Sequence, residues 1–107
     1  MSRRVFFEPI KELGFAGISA AYAALGAATT HETRMFRLYN HTEGHVYVTI
    51  DSSENQMFVA AGTFILYDLQ ANSFQEDTKY VLPVGTQFYV KQVTAPVSGS
   101  MYVECVY

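Results

Sequence analysis

Three histidines, His31, His41 and His45, come closest in this chain to the residue types and spacing of metal chemistry. His41 and His45 flank Thr42-Glu43-Gly44, so the Glu43 carboxylate lies between two imidazoles in sequence. A His-x-x-x-His spacing aligns two ligands on a helix, where residues four apart share a face, and a turn containing glycine does not do this. The set reads as polar residues around a turn. Paired-carboxylate hydrolysis needs two acids facing one cleft; Asp51, Asp68 and Glu104 are the strand-associated acids, and no spacing brings two of them together. Gly-x-x-x-x-Gly-Lys, Gly-x-Ser-x-Gly and Gly-x-Gly-x-x-Gly do not occur, which removes the phosphate loop, the nucleophile elbow and the dinucleotide turn. Cys105 is the single cysteine, so neither an intramolecular disulfide nor a Cys-based zinc site is available. It alternates with Met101 and Val103 and reads as a buried, apolar thiol. The expectation is a non-enzymatic protein with no catalytic, cofactor-binding or metal residues.

Binding chemistry is better represented. Tyr39, Tyr47, Tyr89 and Tyr102 fall at outward positions of strand-like runs, where tyrosine supplies large contact area at small entropic cost. Arg3 and Arg4 precede Phe6 and Phe7. This short basic and aromatic extension suits docking on a neighbouring subunit, because two exposed phenylalanines in a free tail would cost solubility. These eight residues are the expected protein-interface set. Aromatics beside basic residues, as in Arg34-Met35-Phe36-Arg37-Leu38-Tyr39, also suit single-strand stacking. With 7 Lys and Arg against 10 Asp and Glu, the electrostatic half of such a site is missing, and no nucleic-acid partner is expected.

The elements that must position these residues read as strands. From residue 34 onward, short runs rich in Val, Ile, Phe, Tyr and Thr are each closed by a turn signal. The expected strands are 33–40, 45–51, 56–60, 63–69, 79–82, 86–93 and 100–107. Asn40 to Gly44 reads as a hairpin turn in which Gly44 takes positive φ. In 63–69 both faces are apolar, which predicts a central strand buried on both sides. The polar stretch 70–78 is the longest loop, with Phe74 in its middle. Segment 14–30, rich in alanine and interrupted by Gly14, Gly17 and Gly26, reads as strand in preference to helix. Residues 1–13 form an N-terminal arm ahead of a single domain over 14–107. The fold expected is all-β: a small antiparallel β-sandwich, jelly-roll-like, with seven or eight strands and an extended arm.

Composition agrees. A chain of 107 residues is one domain. Half of it is hydrophobic and 16% is charged, well under the roughly 25% of an average soluble domain, which implies surface that faces other protein. Ser2-Arg3-Arg4 and the small-residue run 14–28 imitate a signal peptide, but Glu8, Pro9, Lys11 and Glu12 stand where an apolar core should begin. No run of residues suits a membrane-spanning helix, and no membrane partner is expected.

The segments Phe15-Ala-Gly-Ile-Ser-Ala-Ala-Tyr-Ala-Ala-Leu-Gly26, Thr30-His31, Arg34-Met-Phe-Arg-Leu-Tyr-Asn40, Val46-Tyr-Val-Thr-Ile-Asp51, Phe58-Val-Ala-Ala-Gly62, Tyr67-Asp68-Leu69 and Pro96-Val-Ser-Gly-Ser-Met-Tyr-Val103 together resemble small virion proteins of tailed bacteriophages. The resemblance implies a β-sandwich structural subunit of the particle, either a capsid decoration or cement protein or a head-to-tail neck component. It implies copies of itself and other virion proteins as partners, a place in the virion, and synthesis in the host bacterial cytoplasm. Jelly rolls also serve as lectins, so a carbohydrate- or receptor-binding module of a virion is the alternative, with Asp51, Asn55 and Asn72 as its polar candidates.

Overall fold

Alternation of apolar and polar residues over short runs produces eight strands among the described residues, β1 (Lys11–Gly14), β2 (Ala23–Ala24), β3 (Met35–Thr42), β4 (Val46–Thr49), β5 (Met57–Val59), β6 (Phe64–Asp68), β7 (Tyr89–Gln92) and β8 (Gly99–Val106). The structure is a computed structural model that describes residues 6–69 and 81–107. The strands form two antiparallel sheets of four, ordered β1-β8-β3-β6 and β2-β7-β4-β5. Four of the pairings, β1 with β8, β2 with β7, β3 with β6 and β4 with β5, join strands equally far from the two ends of the strand series. The chain is thus one long antiparallel ribbon rolled so that successive rungs alternate between the sheets, which is a jelly roll.

The inner faces are closed by single-file apolar residues. Leu38 on β3, Met101 and Val103 on β8, Val46 and Val48 on β4, Val59 on β5 and Val90 on β7 are all fully buried, each contributing about 1.5–3 kcal/mol of transfer free energy. Leu25, Phe36 and Phe88 fill the space between them, and Cys105 completes the row on β8. Burial pushes the Cys105 thiol up to about 11, so it stays protonated and packs as a small hydrophobe.

Where the chain leaves the first sheet for the second, its backbone loses ladder partners, and one buried side chain supplies them. Asn40 Nδ2 donates to the Gly44 carbonyl at 2.8 Å and the Val59 carbonyl at 3.1 Å, and its Oδ1 accepts from Thr42 N–H at 3.1 Å and Thr42 Oγ1 at 2.6 Å. The expected hairpin at 40–44 is therefore a crossing between sheets, since β3 and β4 do not pair. Gly44 does not take positive φ; it is needed because a Cβ there would collide with the backbone of Thr94 and Pro96.

Three further expectations are corrected. Segment 14–30 is a single 3-10 turn at Phe15–Gly17 and a strand of two residues, Ala23–Ala24; small side chains give a longer strand too little to bury, so Ile18 and Leu25 alone anchor it in the core. The described part of the N-terminal arm does not reach outward. Phe6 and Tyr107 exchange backbone hydrogen bonds at 2.9 and 2.8 Å, Glu8 N–H donates to the Cys105 carbonyl at 3.0 Å, and β1 pairs on along β8. Finally, β6, expected to be central, is an edge strand among the described residues. The expected strand 79–82 is described only from residue 81, where Leu82 forms a bridge with Thr33; the loop at 70–78 with Phe74, and Asn72, lie outside the described residues.

Candidate functional site

The inner positions of the first sheet are spent on the core, so anything the sheet does must use its outer face. Cross-strand register arranges that face in rows. Glu12, Tyr102, Tyr39 and Phe64 lie opposite one another across β1, β8, β3 and β6; the next row is Glu104, Arg37 and Leu66, and the next is Phe7, Val106, Met35 and Asp68. Apolar and aromatic residues dominate. Phe7 is 71% exposed, Phe64 58% and Leu66 55%, on a solvent face where polar residues are the norm for an antiparallel sheet.

One ion pair sits at the middle of this face. Arg37 Nε lies 2.6 Å from Glu104 Oε1 in a half-exposed ion pair. The same guanidinium lies 5.4 Å from the centre of the Phe64 ring and 5.8 Å from that of Tyr39, so it also serves the aromatic row. Beside the pair is a groove of about 260 Å³ lined by Phe7, Met35, Phe36, Leu66 and Val106 together with Arg37 and Glu104. Its walls are mostly apolar and its two charges face each other, so the groove is suited to excluding water beneath a complementary surface.

The outer face of the second sheet is different. Lys91 stands between two tyrosines, its ammonium 4.7 Å from the Tyr22 ring and 5.8 Å from the Tyr47 ring. Tyr47 packs edge-on to Phe58, and Phe58 lies tilted against His45, at centroid distances of 5.9 and 5.6 Å. The loop after β4 is folded around Asp51. Hydrogen bonds from Ser53 N–H at 3.0 Å and Thr49 Oγ1 at 2.8 Å hold its carboxyl below the usual range. Gln56 Nε2 completes the nest at 3.1 Å, and the Tyr22 hydroxyl donates to Asn55 Oδ1. Asp51 therefore organises its own loop.

A third polar cluster locks the N-terminal segment. Glu8 and Lys11 both point inward and are buried, 3.4 Å apart. The Glu8 carboxylate also accepts from the Thr30 and His31 backbone N–H groups at 3.2 Å each, while the His31 ring stacks on Tyr107 at 3.6 Å. At one end of the sandwich, Glu43 accepts from Val97 N–H at 2.6 Å, Ser98 N–H at 2.7 Å and the Ser98 hydroxyl at 2.5 Å, clasping the β3–β4 loop to the β7–β8 loop. The Ser98 hydroxyl first, then the two backbone donors, hold its carboxyl down at about 2.

Of the expected interface residues, the structure brings Tyr39 and Tyr102 together on the first sheet, 6.3 Å between centroids, with Phe7 on the same face. It places Tyr47 and Tyr89 on the other sheet, so the four tyrosines do not form one surface. Phe6 stacks on Tyr107, and Arg3 and Arg4 lie outside the described residues. The three histidines are apart: His31 beside Glu8, His41 against Tyr39, and His45 accepting from Ala61 N–H through Nδ1. Of the acids, Asp68 and Glu104 share the outer face of the first sheet and Asp51 belongs to the second. Sequence reasoning missed Met35, Phe64 and Leu66. The signal was present in the two-sided apolarity of 63–69, which was assigned to the core. No helix among the described residues is long and apolar enough to cross a membrane. Comparison with family models, curated proteins and solved structures finds no match to this chain.

Proposed function

We propose that this chain is a non-enzymatic structural subunit of a tailed-bacteriophage particle, a capsid decoration or cement protein or a head-to-tail neck component, that acts through contacts with other virion proteins and with copies of itself. The observation that carries the reading is the outer face of the first sheet, where Phe7, Phe64 and Leu66 stand more than half exposed around a charge-neutral groove. Contiguous apolar surface of this kind marks sites of protein association. The jelly roll supports the reading in a weaker way, because it recurs in viral capsid domains and equally in lectins; the resemblance in sequence favours the virion. The test is to sediment the purified chain with particles of its phage prepared without it. Saturable binding that falls at least tenfold in Phe7→Ser/Leu66→Ser supports the proposal, and a chain that neither binds such particles nor is missed by them would overturn it.

A second reading has one observation in its favour. Asn55 and Asp51 are on the same side of the molecule as Tyr22, Tyr47 and Lys91, the mixture of aromatic and polar groups that a saccharide-binding surface uses. Specific binding on a glycan array, lost in Tyr47→Ala, would favour it over assembly.

A further inference from the structure

The four sheet edges differ, and the difference identifies a partner. At β1 the chain carries Pro9, which has no N–H to offer. The pairing with β8 slips by one residue between Glu8 opposite Cys105 and Lys11 opposite Val103, and two charged side chains point inward. β2 has two residues and β5 has three. Proline, a bulge, inward charge and short length are the means by which sheets avoid recruiting another strand. β6 uses none of them. It is five residues long, Phe-Ile-Leu-Tyr-Asp, and among the described residues no strand pairs along its outer side.

Its backbone orientation follows from register. Asn40 N–H donates to the Thr63 carbonyl at 2.9 Å, and Leu69 N–H donates to the Arg34 carbonyl at 3.0 Å. Antiparallel alternation then directs the backbone groups of Ile65 and Tyr67 toward β3, and those of Phe64 and Leu66 toward the open edge.

We propose that β6 pairs antiparallel with β6 of a second copy of this chain, about a two-fold axis at Ile65, joining the two first sheets into one sheet. This rests on the reading of the chain as an assembly subunit. In this register Phe64 of each copy lies opposite Leu66 of the other, so the residues with outward backbone groups meet as hydrogen-bonded pairs. Ile65 lies opposite its own mate, and apolar residues meet apolar residues on both faces. The charges also agree. The two Asp68 carboxylates sit at opposite ends of the paired segment and do not face each other. The arrangement explains why β6 is apolar on both sides: it is an edge in one copy and interior in two. Within β6 the pairing covers three residues a side, Phe64 to Leu66, which falls short of the roughly 1,200 Å² of a stable interface, so the free dimer is concentration-dependent and is reinforced where copies are held side by side.

The full chain carrying Phe64→Cys is mixed with the full chain carrying Leu66→Cys under mild oxidation. Both sites are exposed, and buried Cys105 stays out of the reaction. The proposal expects at least tenfold more covalent dimer from the mixture than from either variant alone, and expects Leu66→Lys to abolish the concentration-dependent rise in mass seen by sedimentation of the unmodified chain. A mixture that cross-links no better than the single variants overturns it, as does equal cross-linking by each variant alone. Binding to phage particles is measured on the same samples. Particle binding without cross-linking removes the dimer and leaves the assembly reading in place; cross-linking without particle binding does the reverse.

Discussion

On its β1 side the first sheet turns Glu8 and Lys11 into the sandwich, closes them with backbone donors from Thr30 and His31, and seals the margin with Pro9. On its β6 side it leaves Phe64 and Leu66 in solvent. The two edges belong to one sheet, separated only by β8 and β3, and face the same hazard of unplanned strand pairing. Buried polar groups are costly unless matched, so the polar closure at β1 marks a margin kept for the chain's own use. Among the described residues, an apolar margin with its backbone groups turned outward finds no partner strand. The contrast teaches that low overall charge is not spread evenly: one margin of the sheet spends its charges inside, and the other leaves its apolar residues exposed.

The largest expected effect breaks the β1 side. Glu8→Ala strands the Lys11 ammonium in the core and removes the acceptor for two backbone N–H groups, and should lower unfolding free energy by about 3–5 kcal/mol, read from urea denaturation. The double replacement Glu8→Leu/Lys11→Met should recover the part due to the stranded ammonium, because hydrophobic residues of similar volume replace a buried pair at little cost, while the Thr30 and His31 N–H groups still lack their acceptor. Leu66→Lys on the other margin should change the stability of the free monomer by no more than about 0.5 kcal/mol. A Leu66→Lys penalty as large as that of Glu8→Ala would show that β6 is core and erase the distinction between the edges.

A smaller effect sharpens the comparison. Pro9→Val restores an edge N–H and loosens the unfolded chain, for a stability change below about 1 kcal/mol. Combined with Leu66→Lys, it tests whether closing one margin and opening the other transfers self-association from β6 to β1. The expected result is sedimentation of the double variant as a heavier species than Leu66→Lys alone.

How far the sequence alone reaches is shown by the same two strands. Strict alternation in β3, β4 and β8 is a local signal, and it led to the right elements and, with turn spacing, to the jelly roll. The alternation of Cys105 with Met101 and Val103 likewise placed the thiol inside. β1 was not legible, because Glu8 and Lys11 look like surface residues until Thr30 and His31, remote in sequence, are brought against them. β6 was read as strand but placed at the centre, since apolarity on both faces reports that something will cover a strand without saying whether that cover lies in the same chain. The outer-face site was half legible for this reason: Tyr39, Tyr102 and Phe7 were found as aromatics, while Phe64 and Leu66 were assigned to the interior.

Acid offers the mildest way to separate the margins, and it needs no change to either. The Glu43 carboxyl is held at about 2 against an ordinary 4.5, so its folded form prefers the ionised state. The stabilisation it supplies is fully present above about 4.5 and fades as pH falls toward 2. Because the clasp joins the β3–β4 loop to the β7–β8 loop, its loss loosens one end of the sandwich and leaves the pairing register of β6 untouched. Thermal unfolding of the unmodified chain should therefore shift downward across this window, and Glu43→Gln, which lacks the titrating group, should show a shallower shift from a lower starting point. Strand pairing at β6 uses Phe64, Ile65 and Leu66, none of which titrates, so the sedimentation mass should stay constant from neutral pH down to about 4.5. A dimer that dissociates in that range would show that its contact depends on a titrating side chain and not on the apolar pairing of Phe64, Ile65 and Leu66.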